Sequence, residues 1–190
     1  MDGVPVAVAS RLVVAVCAFV GLGFAVATLN DPWPALSQQA SLFAGVVYLA
    51  LALAGARAAR VSGWLRGATT VLLLLVCLTY LTVIEGDLYS VSSLFEHLLT
   101  PLAALADWVL VGRAAVVVRW WYPLSWVLPP LLYLIYFLVA DVGLYRGFLD
   151  PQSPDFATTV ALFLVAVVAA GYLLYGIVRP VRTRAVAEAG

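Results

Sequence analysis

The chain has 190 residues, 65% of them hydrophobic and 11% charged, with a mean hydropathy of +1.07. A soluble domain carries roughly a quarter charged residues, so a water-soluble globule, a disordered chain and a nucleic-acid-binding module are all excluded as readings. Ten arginines, with no lysine, balance ten acidic residues, so no overall field favours a polyanionic partner and charge acts only locally.

A bilayer core of about 30 Å needs about 20 apolar helical residues. That ruler predicts six spans, at 12–29, 42–59, 68–84, 94–112, 121–144 and 157–178. They leave short connections and no room for a soluble domain, which makes the expected fold an all-α membrane protein, a six-transmembrane-helix bundle forming one domain over 1–190. The apolar runs are continuous, whereas barrel strands would alternate at every second residue. Asn30-Asp31-Pro32-Trp33-Pro34 ends the first span, and Asp150-Pro151-Gln152-Ser153-Pro154 precedes the sixth. In the first span, Ala25-Val26-Ala27 also has the small-residue pattern of a signal cleavage site, but the apolar stretch is longer than the usual signal core. Pro101 in the fourth span and Pro129-Pro130 in the fifth are expected to kink those helices. Cys17 and Cys77 lie inside apolar runs and read as packing residues.

Orientation follows from the arginines. An inside N-terminus and C-terminus put Arg11, Arg57, Arg60, Arg66, Arg113, Arg119, Arg179, Arg182 and Arg184 on the cytoplasmic side, with Arg146 the exception. On this reading the arginines anchor lipid headgroups. Asp31, Glu85, Asp87, Asp150 and Asp155 fall on the other side.

Ionisable residues inside spans are costly and mark polar sites or pathways. Here they are His97, Asp107 and Asp141, with Glu96 nearer the outer interface. On the predicted topology His97 lies within a turn of the outer surface. Asp107 is ten residues on, about 15 Å deeper and roughly 80° around an unbent helix. Asp141, Tyr145 and Arg146 come to the same outer side, as do Ser37, Gln38, Gln39 and Ser41 at the start of the second helix. His97 is the only histidine. It is therefore either the one proton shuttle near neutral pH or a ring bonded only to a carbonyl or to Glu96, and it cannot supply the paired imidazoles of a b-type haem. Zinc-ligand spacing, a Gly-rich phosphate loop and a GxSxG elbow are absent, so neither a metal nor another cofactor is expected. Taken alone, Ser37 and Ser41 are ordinary helix N-cap candidates.

Together these landmarks carry a resemblance. Ala35-Leu36-Ser37-Gln38-Gln39-Ala40-Ser41, Glu96-His97-Leu98-Leu99-Thr100-Pro101 with Asp107-Trp108, then Trp121-Tyr122-Pro123 and Tyr145-Arg146-Gly147-Phe148-Leu149-Asp150 follow one another in order. In this the chain resembles the androgen-induced, ADTRP-like integral membrane proteins and their actinobacterial relatives. The resemblance implies hydrolysis of fatty acid esters of hydroxy fatty acids, with Ser37 as nucleophile where the family has Thr, His97 as base and Asp107 as the associated acid. Ala40 and Ser41 replace the Ser-Asn of bacterial relatives, and Arg146-Gly147 replaces an aromatic-proline pair.

A serine hydroxyl is chemically competent for this attack, with His97 accepting its proton. Gln39, Ser41 or free N–H groups at the start of the second helix would face the oxyanion, while Glu96, Asp141 and Tyr145 complete the expected substrate site. Asp107 lies deep for direct contact with His97 unless the kink shortens the gap; Asp141 or Glu96 could orient the ring instead. The readings are thus a membrane-embedded lipid-ester hydrolase, a non-catalytic scaffold or accessory protein, and a small transporter using Asp107 and Asp141. The absence of a clear repeat between the halves counts against the last. An Ala-, Val-, Leu- and Arg-rich chain without lysine is also consistent with a GC-rich bacterial genome and a location in the bacterial plasma membrane.

Overall fold

A computed structural model of the chain describes residues 3–55, 62–111 and 118–188. Among these, all regular structure is helical. The elements are α1 (Gly3–Thr28), α2 (Leu36–Ala54), α3 (Ser62–Thr82), α4 (Val91–Leu94), a π-helical turn (Phe95–Leu99), α5 (Thr100–Leu110), α6 (Tyr122–Ser125), α7 (Leu128–Val139), a 3-10 turn (Gly143–Tyr145) and α8 (Phe156–Glu188). Five stretches are long and apolar enough to cross a membrane: Val6–Thr28, Leu36–Ala54, Gly63–Thr82, Tyr122–Val139 and Phe156–Val178. The chain is therefore an all-α protein of multi-pass membrane type. The expected fourth span is a run of three helical pieces from Val91 to Leu110, with Glu96, His97 and Asp107 along it.

Several boundaries move for local reasons. The second helix begins at Leu36 instead of 42, because it absorbs the polar Ser37-Gln38-Gln39 turn that a hydropathy ruler leaves outside. Its N-cap is Ala35 and makes no side-chain cap, so Ser37 lies within the first turn and neither it nor Ser41 is the N-cap. The third begins at Ser62, carrying Arg66 into the bundle. Pro101 cannot donate a hydrogen bond to the preceding turn. The register change comes just before it, where Thr100 N–H reaches back to Phe95 O in the wider π pattern. The fifth span is broken between α6 and α7, not kinked within α7; Pro129 and Pro130 stand in the first turn of α7, where a missing N–H costs nothing.

Small residues let α1 and α2 pack closely: Ala15 and Ala18 meet Ala40 and Ala44, with Tyr48, Leu73 and Val76 completing this core. A second core joins α3, α5 and α8 around Trp108 and Trp126, whose rings meet edge to face at 5.7 Å. Trp108 Nε1 donates to Leu174 O at 3.0 Å.

Trp126 is fully buried and lies against Gly67 of α3, where a Cβ would come within 1.9 Å of Cζ2. On its other side a Cβ at Gly171 would lie 3.2 Å from Cε3, so the α8 backbone also approaches the indole closely. Gly67→Ala is expected to destabilise the folded state by about 1–3 kcal/mol through overpacking. Gly23→Ala, where a Cβ meets nothing within 4 Å, is the control expected to melt with the parent in detergent. Equal melting of both variants would remove Trp126 from this slot.

Two arginines expected at the lipid surface are interior. Arg11 is 5% exposed, and its Nη1 donates to Leu51 O at 3.0 Å, closing the last turn of α2. Arg66 is 0% exposed and paired with Asp107, also 0%. The burial of both side chains overturns the headgroup-anchor reading for them. Arg57, Arg60 and Arg113 lie outside the described residues, as do the side chains of Arg179, Arg182 and Arg184.

Candidate functional site

One end of the bundle holds a cavity of about 720 Å³. Its walls are the loop after α1 (Leu29 to Pro32), the start of α2 (Ala35 to Gln38), α3 from Leu75 to Tyr80 with Val83 and Ile84 just after it, His97, Pro130 to Leu134 of α7, the Leu144 to Leu149 loop and Val160 to Leu164 of α8. This volume is within the range of about 300–1,000 Å³ usual for small-molecule sites. Most of the lining is aliphatic or aromatic; Ser37, Gln38 and His97 are grouped among the polar exceptions.

Ser37 and Gln38 are in the cavity wall because α2 begins there. Leu36 N–H, the first of the helix, donates to Tyr145 Oη at 3.0 Å, and Tyr133 Oη donates to Pro34 O at 2.8 Å. These tyrosines, from α7 and the turn after it, fix the α2 entrance. The N–H groups of Ser37 and Gln38 lack intrahelical acceptors by their position, and none of the described residues accepts from them. The Ser37 hydroxyl donates to Gln38 Oε1 at 3.1 Å, and Gln38 Nε2 donates to Glu96 Oε2 at 2.7 Å.

Neighbouring Glu96 and His97 in the π turn are both buried, at 1% and 8% exposure. Glu96 packs toward α1, in a notch where a Cβ at Gly21 would come within 2.8 Å of its Cγ, and its Oε1 has no hydrogen-bond partner. His97 lines the cavity. Its Nδ1 lies 3.1 Å from Ser93 O; a carbonyl only accepts, so Nδ1 carries a proton, and in the neutral form of the ring the lone pair is on Nε2. Among the described residues no hydrogen bond joins Ser37 to His97.

The other expected site residues divide. Tyr145 is at the cavity, as an acceptor for the α2 N-terminus. Its phenol lies outside the spanning helices, and burial raises its pKa. Gln39 turns away, donating to Trp33 O at 2.8 Å. Ser41 is sealed at 0% exposure with an unpartnered hydroxyl, outside the cavity lining. Asp141 pairs with Arg146 on the surface with 81% of its side chain exposed. Asp107 is held by Arg66 and Ser10, its Oδ1 accepting from Ser10 Oγ at 2.8 Å, and is not among the partners of His97. Asp107 and Asp141 are thus in separate environments, one interior and one solvated. Tyr80 and Tyr133 are site residues that the sequence did not single out, and Gln38, placed with Ser37 on the outer side, was given no role. A glutamine next to the expected nucleophile was the only available signal, since aromatics are frequent throughout the spans. Among the described residues no group of three His, Cys, Asp or Glu is placed to hold a metal ion.

Comparison with protein-family models, with curated proteins and with solved structures gave no match.

Proposed function

We propose that the chain is a membrane-embedded hydrolase of lipid esters, with Ser37 as nucleophile and His97 as base. The observation that carries this reading is that both residues line one largely apolar cavity of about 720 Å³, which suits a substrate with a polar ester and acyl tails. We read the helices as a six-pass bundle with both termini cytoplasmic, in a bacterial plasma membrane. The 91–110 run supports this count, since at 1.5 Å per residue it is about 30 Å long. On this topology the cavity opens toward the outer leaflet.

In the reaction, the Ser37 hydroxyl leaves Gln38 Oε1 and donates to His97 Nε2 as substrate settles; catalytic hydrogen bonds often form only in the substrate complex. Ser37 Oγ attacks the ester carbonyl while its proton passes to Nε2. The N–H groups of Ser37 and Gln38, at the positive end of the α2 dipole, stabilise the oxyanion; Gln39 and Ser41, turned away or sealed, do not serve. Collapse breaks the ester C–O bond, His97 protonates the departing alkoxide, and an acyl-Ser37 ester remains. Water attacks the acyl carbon as His97 takes its proton, and on collapse His97 returns that proton to the departing Ser37 Oγ, releasing the acid and restoring the serine. Glu96 holds Gln38 in place, Tyr145 holds the α2 entrance, and Asp107 supports the bundle at a distance from the reaction.

The test is hydrolysis of a panel of long-chain acyl esters, including branched esters of hydroxy fatty acids, by purified protein and its Ser37→Ala and His97→Ala variants. Turnover by the parent alone supports the reading. Folded parent without turnover directs attention to a non-catalytic membrane scaffold.

A further inference from the structure

His97 is held from two directions. Its ring stacks on Tyr80 with centroids 3.5 Å apart and planes at 14°, while Nδ1 is fixed on Ser93 O. The Tyr80 ring is itself confined: a Cβ at Gly86 would come within 2.1 Å of its Cζ, so only glycine fits there with the ring in place. Gly86 N–H donates to Tyr80 O at 3.0 Å, and Tyr80 Oη donates to Asp87 O at 2.8 Å. Ser93 closes the circuit. Its hydroxyl lies 2.8 Å from Tyr80 Oη and also contacts Asp87 O, its N–H is capped by Ser90 Oγ, and its carbonyl holds His97. The connection between α3 and α4 thereby reaches the imidazole through one aromatic ring.

We infer that Tyr80, clamped by the 83–90 connection and by Ser93 of α4, is the positioning residue that fixes the His97 imidazole with Nε2 available to the cavity. Its consequence for turnover rests on the hydrolase reading; the fixing of the ring does not. An imidazole on a helix has two side-chain torsions to lose. The Ser93 carbonyl restrains the tautomer and one ring edge, and the stack restrains the ring plane. Without the stack the ring pivots about its Nδ1 bond, and Nε2 sweeps away from the line on which Ser37 must donate. Geometry of this kind is steeply coupled to rate, because a misplacement of about 1 Å can cost about 100-fold.

The chain has a single histidine, so tag-free protein labelled with ¹³C,¹⁵N-histidine gives one set of imidazole signals. The experiment compares the parent with Tyr80→Leu, Tyr80→Phe and Gly86→Ala in detergent micelles, by imidazole NMR and by ester turnover. The parent and Tyr80→Phe are expected to show a ring-current-shifted imidazole with its proton on Nδ1. Tyr80→Leu is expected to lose the ring-current shift while the proton stays on Nδ1 at Ser93 O, and its kcat is expected to fall roughly 10- to 100-fold with KM little changed. Gly86→Ala keeps Tyr80 but displaces its ring, is expected to move the same readouts in the same direction, and serves if Tyr80→Leu does not fold. Unchanged imidazole signals in the folded variants overturn the proposal, as does parental kcat beside altered signals. A parent without turnover removes the hydrolase reading alone, and the NMR comparison then decides whether Tyr80 positions the ring.

Discussion

His97→Ala is expected to lower the turnover of a cleavable ester by about 10²–10⁴-fold, the range associated with removal of a general base. Ser37→Ala should reduce it at least as far, since it removes the atom that forms the acyl-enzyme. The informative measurement is the double variant. Residues that act as one unit are strongly non-additive, so Ser37→Ala with His97→Ala should be scarcely slower than either alone. Losses that multiply would show independent roles and sink the pairing of Ser37 with His97. Intact-mass analysis offers a second check: an acyl adduct on the parent, mapped to Ser37 and missing from Ser37→Ala, is the expected result. Water and the α2 N–H groups remain in all variants, which is why residual turnover above background is also expected.

Asp107→Ala is expected to destabilise the fold by about 3–5 kcal/mol, the cost of removing one partner from a buried ion pair. Arg66 Nε and Nη2 reach Asp107 Oδ2 at 2.8 and 2.5 Å, Nη2 also reaches Asp107 O at 2.8 Å, and the guanidinium lies 5.8 Å from the centroid of Trp108. Neither side chain has any exposure, so a cation left behind gains nothing from solvent. The converse change, Arg66→Met, leaves the carboxylate with Ser10 as its hydrogen-bond donor and should cost a similar amount. Replacing both, by Arg66→Met with Asp107→Leu, should recover most of the loss, because apolar side chains of similar volume remove the desolvation penalty along with the attraction. Reversible unfolding in mixed micelles measures all three. A double variant no more stable than Asp107→Ala would mean that the pair supplies more than mutual neutralisation.

Five of the six expected spans were legible as helices of membrane-crossing length, because hydropathy reports how much apolar chain exists. It does not report which turn of a helix faces inward. Ser37 and Gln38 fell outside the hydropathy window because they are polar, yet they form the first turn of α2. Arg66 was misread for the same reason: a window starting at 68 leaves it at the surface, whereas a helix starting at Ser62 draws it inside. The polarity of Glu96, His97 and Asp107 marked one helix as unusual. Their partners were not legible, because Gln38, Arg66, Ser93 and Tyr80 are brought to them by packing between helices or by the π turn. Asp107 illustrates this limit: its place in the motif suggested a link to His97, while the turn of the helix directs it to Arg66 and Ser10. Pro101 was legible as a disturbance, and its form, a widened turn upstream, depended on how the neighbouring residues pack.

The interior Arg66–Asp107 pair also bears on how the chain is assembled. Synthesis runs from the N-terminus, so α3 emerges with Arg66 well before Asp107, 41 residues later, has been made. A charged side chain in an apolar helix disfavours insertion. During that interval α3 holds a guanidinium without its carboxylate, and its integration is expected to be less stable until α5 has been made. A chain truncated before residue 107 is therefore expected to retain α3 less securely than the full-length product, a coupling between helices that are not adjacent in sequence.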